Sequence, residues 1–327
     1  MIKFKKNAKL HDVAEDKKPD DGIVLITGVS GGLGRVLARR LHRRHTVHGI
    51  DVRPMRGKPK DVTVHVIDYR KKKVADLFRA GEIKALLHLG AVFAPHESQK
   101  TAHDYNLAGT ARLLELCEQY DVKKVAILSS STVYGALPEN DQYLTENSPL
   151  LGGMRLPQIR ALVEMDMLAQ TFFWKRPNIN TTILRPAQIV GPTVNNAATF
   201  YMRLKRVPMM MGFDPLIQLV HEEDVAAAFE LCLEKEARGV FNIAGETAVP
   251  VSEIVKLLGA TTIPVPHPIA QLGLNVFYRL GLSRFPATEI DYVRFVCLVD
   301  DSRARKELGY APSRSARETI LSAVMYE

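Results

Sequence analysis

Residues 27–34 read Thr-Gly-Val-Ser-Gly-Gly-Leu-Gly and stand directly behind the apolar run Ile23-Val24-Leu25-Ile26. A short apolar run, a glycine-rich turn and the helical pattern of Leu33 to Arg44 predict a buried parallel strand turning tightly into a helix. Each glycine has a task at this spacing. Gly28 permits the tight turn, Gly31 lets a pyrophosphate approach the backbone, and Gly34 lets the helix pack closely on the strand. Ser30, Gly32 and Leu33 complete the turn, and the N–H groups of the first helical turn suit a phosphate charge. Asp51 closes the next predicted strand, Thr46–Asp51, 17 residues after Gly34. An acid in that place hydrogen-bonds an adenosine ribose. A dinucleotide site on a doubly wound parallel sheet is therefore expected.

The chain beyond this unit keeps the same rhythm. Further strands are expected at Val62–Asp68, Ala85–Leu89, Val125–Ser129, Thr182–Leu184 and Val240–Ile243, with helices at Ala108–Gln119 and Asp224–Lys235. Such alternation implies right-handed crossovers and an α/β Rossmann sheet covered on both faces. The last third departs from it. Thr261 to Pro286 holds four prolines around an apolar helix candidate, Ile269–Leu282. The expected organisation is a polar leader (1–20), a dinucleotide-binding domain (21–187 and 213–247) and a smaller C-terminal substrate lobe (188–212 and 248–327).

Charge is the one unusual feature of composition. The formal net charge is +8, and residues 35–73 alone carry thirteen Lys/Arg against three Asp/Glu. A positive field of this kind suits an anionic cofactor, an anionic lipid surface or a nucleic acid. These segments flank the adenosine half of the expected site, so a field around a dinucleotide is the simplest reading. Asp51 would repel a 2′-phosphate and favours NAD. Arg53, Arg56, Lys58 and Lys60 sit where a 2′-phosphate would be held, so NADP stays open. Arg35, Arg39 and Arg43 share a helix face, but no aromatic interleaving or nucleic-acid motif accompanies them. His42, His45 and His48 cross from helix into strand and form no metal set. Three widely spaced cysteines without a CxxC pair point to a reducing compartment. With no signal-peptide pattern at the N-terminus and no run of 18 apolar residues, a cytoplasmic protein without a transmembrane segment is expected.

Nine segments in order resemble the extended short-chain dehydrogenases/reductases, and more narrowly the NAD-dependent epimerase/dehydratase group typified by UDP-glucose 4-epimerase. They are the 27–34 loop, Asp68-Tyr69, His88-Leu89-Gly90-Ala91, Asn106-Leu107-Ala108-Gly109-Thr110, Ser129 to Gly135 (SSSTVYG), Leu184 to Pro192 (LRPAQIVGP), Gln218 to Ala226, Phe241 to Gly245, and Asp301 to Tyr310. The resemblance spans Ile23 to Pro312. It implies that Asp68 reads the adenine and that Tyr69, Leu89, Gly90, Ala91 and Asn106 belong to the cofactor site. It also implies that Ser130, Arg160 and Pro186 lie nearest the nicotinamide half, that the substrate is nucleotide-sugar-like, and that a homodimer forms through a four-helix bundle.

One departure matters. Active members resembling this chain use a Tyr-x-x-x-Lys pair with an acid four residues beyond the Lys. Counting back from Glu164 puts Arg160 at the Lys and Leu156 at the Tyr. Leu156 can neither give nor take a proton, and Arg160 can bond a ribose but cannot be deprotonated. Tyr143 lies in the loop before this helix, and Tyr134 belongs to the SSSTVYG signature. Three readings follow: a redox enzyme with divergent chemistry, an inactive cofactor-binding protein acting as sensor or scaffold, or a membrane-surface protein handling a lipid-linked substrate. The last rests on Ile269, Leu272, Val276, Phe277 and Leu280 recurring at helical spacing.

Overall fold

The computed structural model describes residues 22–91, 98–266 and 297–325. The leader 1–20 and the Ile269–Leu282 helix candidate lie outside the described residues. The first half runs β1 (Ile23–Thr27), α1 (Gly32–Leu41), β2 (Thr46–Asp51), β3 (Thr63–Val66), α2 (Val74–Ala80), β4 (Ile83–His88), α3 (Gln99–His103), α4 (Thr110–Gln119) and β5 (Lys124–Leu128). A π-helical turn, Asp104–Gly109, joins α3 to α4. Then come α5 (Gly152–Arg155), α6 (Arg160–Lys175), β6 (Asn180–Pro186), β7 (Gln188–Val190), α7 (Ala197–Met202), β8 (Arg206–Met210), β9 (Leu216–His221), α8 (Glu222–Glu234), β10 (Gly239–Ile243), β11 (Ala248–Pro250), α9 (Val251–Leu257), β12 (Thr261–Val265) and α10 (Ala316–Ser322).

Seven strands form one parallel sheet in the order β10-β6-β5-β4-β1-β2-β3. Its central strands are near-continuous runs of Val, Ile and Leu because both faces are covered. The chain travels from β1 outward to β3, then returns to lay β4 on the other side of β1. The strand order thus reverses between β1 and β4, and in open α/β sheets that reversal places the ligand crevice beyond the carboxyl ends of the two strands. Helices α1 and α8 lie side by side, tied by Arg40, which donates to Glu223 at 2.9 Å and Glu230 at 2.6 Å.

The expected strand Val62–Asp68 is shorter in the fold, Thr63–Val66, because β3 is an edge strand with half-exposed residues on both faces. A smaller lobe holds two further sheets. β9 pairs with β7 in parallel and with β11 antiparallel, while β8 pairs with β12. Val190, Met202, Leu219, Val249, Ile254 and Ile320 form its own apolar core.

Candidate functional site

The glycine loop lies at the strand-order reversal. Gly28 has φ +71°, and a Cβ there would stand 2.9 Å from the Leu89 carbonyl oxygen and 3.0 Å from Gly90 Cα. Gly31 is the N-cap of α1 and supplies no side-chain cap, so the first N–H groups of the helix look outward. A Cβ on Gly34 would run into the backbone of Gly28 and come within 2.8 Å of Val29 Cα, which is the close helix-on-strand packing the spacing predicts. Gly32 has a neighbour that its sequence does not announce. A Cβ there would collide with the Thr193 backbone and come within 2.8 Å of its hydroxyl. Thr193 is in turn held by the buried carboxylate of Glu222, which accepts both its N–H and its hydroxyl. The loop after β7 therefore closes over the first turn of α1.

Asp51 ends β2 with its carboxylate fixed by the backbone: Ser30 N–H donates to one oxygen at 3.1 Å and Arg53 N–H to the other at 3.0 Å. Ser30 donates its hydroxyl to the Arg53 carbonyl at 2.7 Å, and the Arg53 side chain is 71% exposed. Glycine loop and acid are thus one hydrogen-bonded unit. Arg56, Lys58, Lys60 and Lys71–Lys73 are exposed around it. Asp68 is clasped by the Arg70 guanidinium, whose hydrogen bonds hold its carboxyl below the usual carboxylate range. Arg70 itself lies 3.6 Å from the Tyr105 ring centroid. The Tyr69 ring is buried behind Gly90, and its hydroxyl is 2.9 Å from the Gly90 carbonyl oxygen. Leu89 and Asn106 are buried beside it, and Ala91 is partly buried.

At the carboxyl end of β5, Ser130 caps a 3-10 turn, accepting from the Thr132 N–H at 3.2 Å and the Thr132 hydroxyl at 2.9 Å. Pro186 ends β6 and is buried. Leu156 is buried behind α5, and Arg160 is the exposed first residue of α6. Two neighbours carry no sequence signal. Cys297 donates its thiol to the Ser131 carbonyl at 3.5 Å, and burial pushes that thiol up to about 12. Asp166, two residues past Glu164, is fully buried and grips the equally buried Arg185. The Tyr134 hydroxyl is spent on this pair: it accepts from Arg185 and donates to Asn242 Oδ1 at 2.8 Å, so Tyr134 is structural. Among the described residues no three His, Cys, Asp or Glu converge on a metal position, and no helix is long and apolar enough to cross a membrane.

An open parallel sheet, a glycine turn at its reversal and a fixed acid on the next strand define a doubly wound dinucleotide-site protein with a smaller lobe over the strand ends. The model of the NAD dependent epimerase/dehydratase family matches residues 24–244, and the chain belongs to that family. It is 28% identical to the uncharacterised protein Rv0501 of Mycobacterium tuberculosis over 91% of this chain and 82% of that one. It is 25% identical to the UDP-glucose 4-epimerase of Bacillus subtilis over 79% of this chain and 80% of that one. In three dimensions it resembles the UDP-glucose 4-epimerase of Thermus thermophilus, solved in complex with NAD. The TM-score is 0.72 at 21% identity, covering 92% of this chain and 97% of that one.

Proposed function

We propose that this chain binds NAD and acts on a hydroxyl or keto group of a nucleotide-sugar-like substrate by chemistry that does without the usual tyrosine. The observation that carries the first half is the unit of Gly28, Gly34 and Asp51: a turn with no room for side chains, an uncapped helix start and an acid fixed by two N–H groups. The residues fit the group. Gly28, Gly31 and the first turn of α1 would hold the pyrophosphate, Asp51 the adenosine ribose, and Asp68 with its Arg70 partner the adenine edge. When bound, the nicotinamide supplies a hydride donor or acceptor. Ser130 would orient a substrate oxygen, and Arg160 would donate to a ribose hydroxyl without exchanging protons.

The second half rests on what is missing. Residues 144–174 contain neither tyrosine nor lysine. Taking Asp166 rather than Glu164 as the reference acid moves the expected pair to Gln158 and Leu162, and that register has no tyrosine either. Losing a general acid/base removes about 10²–10⁴ in rate. Wild type is therefore expected to turn over UDP-glucose slowly or to prefer a substrate that brings its own proton.

Mass spectrometry of the nucleotide that co-purifies with the protein tests the cofactor. NAD is expected, NADP would move the role of Arg53 ahead of Asp51, and neither would overturn the reading. A nucleotide-sugar panel tests the chemistry on wild type, Leu156→Ala, Leu156→Tyr and Gln158→Tyr. Turnover in both wild type and Leu156→Ala shows another acid at work. Turnover only in a tyrosine variant favours the inactive cofactor-binding protein instead.

The same reading includes a homodimer. Met167 and Trp174 lie seven residues apart on one face of α6, and Trp174 is 75% exposed. A second copy of this face would cover them. Trp174→Glu is expected to convert a dimer to a monomer in sedimentation velocity, and a wild-type monomer at micromolar concentration removes the idea.

A further inference from the structure

We propose that His88 is a positioning residue: clamped between Thr27 and Thr110, it fixes the Gly90 backbone against the glycine loop along the path of the dinucleotide. The inference rests on the cofactor reading above and names residues behind that site.

His88 is the last residue of β4, sits opposite Thr27 of β1 in the parallel register, and is 1% exposed. Its Nδ1 is 2.6 Å from Thr27 Oγ1 and its Nε2 is 2.9 Å from Thr110 Oγ1 at the start of α4. Thr27 Oγ1 also accepts the Gly90 N–H at 3.2 Å. In the tautomer with Nε2–H, the Thr27 hydroxyl donates to Nδ1 and Nε2–H donates to Thr110; in the other tautomer both donations reverse, and in either one Thr27 Oγ1 accepts from Gly90. Burial drives the imidazole pKa down to about 4, so the ring stays neutral near pH 7 and keeps one donor and one acceptor. A neutral, enclosed ring is no acid/base for substrate, but it is a fixed hydrogen-bonding spacer.

From the other side, the Tyr69 hydroxyl, shared between the Gly90 and Tyr105 carbonyls, holds the Gly90 C=O. The His88 and Tyr69 rings meet edge-on, 5.5 Å between centroids. Both polar backbone groups of Gly90 are thus bonded to buried side chains. A Cβ on Gly90 would lie 2.9 Å from the Tyr69 ring and 3.2 Å from Thr27 Oγ1. Across the crevice, Gly28 leaves only 3.0 Å between its own missing Cβ and Gly90 Cα. The two backbones therefore pass with no room for a side chain at Gly28, and a displaced Gly90 would alter the wall beside the glycine turn.

His88→Phe keeps the ring and removes both hydrogen bonds, whereas His88→Gln keeps polar ends. NAD affinity, by calorimetry on the full chain, is expected to fall about tenfold in His88→Phe and to recover most of that in His88→Gln, the scale of one or two buried hydrogen bonds. Adenosine, which stops short of Gly90, is read by saturation-transfer NMR and should bind both variants as wild type. A merely structural role would weaken both ligands together or neither. If His88→Phe does not fold, Thr110→Val removes one clamp alone and should show the same selective loss at about threefold. A folded His88→Phe that binds NAD like wild type, or that loses adenosine in parallel, overturns the inference while leaving the cofactor reading intact. A wild type that binds neither NAD nor NADP ends both.

Discussion

Asp166→Ala is expected to cost about 3–5 kcal/mol in urea denaturation, a large share of the roughly 5–15 kcal/mol of an ordinary domain. Arg185 and Asp166 are both fully buried, joined through Nη2–Oδ1 at 2.6 Å and Nε–Oδ2 at 2.9 Å. Ser129 donates to Asp166 Oδ2 at 2.5 Å and Gln170 to Oδ1 at 2.8 Å. The remaining guanidinium nitrogen reaches the Tyr134 hydroxyl at 2.9 Å and the Glu146 carbonyl at 3.2 Å. Asn242 continues the network: its side-chain amide donates to the Leu144 and Asp300 carbonyls, and its N–H to the Glu146 carboxylate. One network thereby ties α6, β5, β6 and β10 together beneath the Ser130 turn. Removing Asp166 leaves a cation that cannot shed its proton in a dry place. The asymmetry is the test. Asp166→Leu combined with Arg185→Leu removes both charges and should cost markedly less than Asp166→Ala alone. If Asp166→Ala loses under about 1 kcal/mol, water reaches the site and the pair is not the keystone of these strands.

That network also marks where the sequence stops being legible. The central strands are readable because continuous Val/Ile/Leu runs admit few alternatives, and the glycine loop because its spacing answers to a close approach of backbones. Glu164 and Asp166 differ otherwise. They sit two positions apart on α6, so they point to nearly opposite sides of the helix. Spacing arithmetic points to Glu164, which is half-buried, whereas Asp166 is the acid buried against Arg185. Helix α3 and its π-turn are equally hidden, since Gln99 to Asn106 carries little apolar periodicity and is held instead by the Ser98 cap and by packing. The basic excess of residues 35–73 is partly consumed by ion pairs. Arg40 is spent on Glu223 and Glu230 and Arg70 on Asp68, while Arg53 and Lys71–Lys73 stay exposed. No local pattern could announce Thr193 over Gly32, because that contact joins residues 161 positions apart.

Gly34→Ala sets two effects of opposite sign against each other. Replacing a glycine inside a helix gains about 1 kcal/mol of helix propensity. Here the new methyl would meet fixed backbone rather than a movable side chain: the Gly28 carbonyl, with Val29 Cα at 2.8 Å and Gly28 C at 3.0 Å. Relief requires α1 to slide away from β1 by about 1 Å, and overpacking of that kind costs about 1–3 kcal/mol. The steric cost should win narrowly, so the variant is expected to fold with slightly lower stability. Its binding should suffer far more if, as proposed, the N–H groups that would hold the pyrophosphate ride on α1. A misplacement of about 1 Å at a positioning element costs about 10²-fold, and NAD affinity should drop on that scale. Gly31→Ala separates stability from binding. Gly31 has φ −69°, and its Cβ would meet only the Gly28 oxygen at 3.2 Å, so the fold tolerates the methyl. On the proposed reading the same methyl would stand where the phosphate approaches, so binding should still fall. Thermal melting of both variants without ligand, together with NAD titrations, therefore reads the two terms apart. A Gly34→Ala protein that binds NAD as wild type would mean that α1 does not carry the pyrophosphate, and the cofactor would have to lie elsewhere along the strand ends.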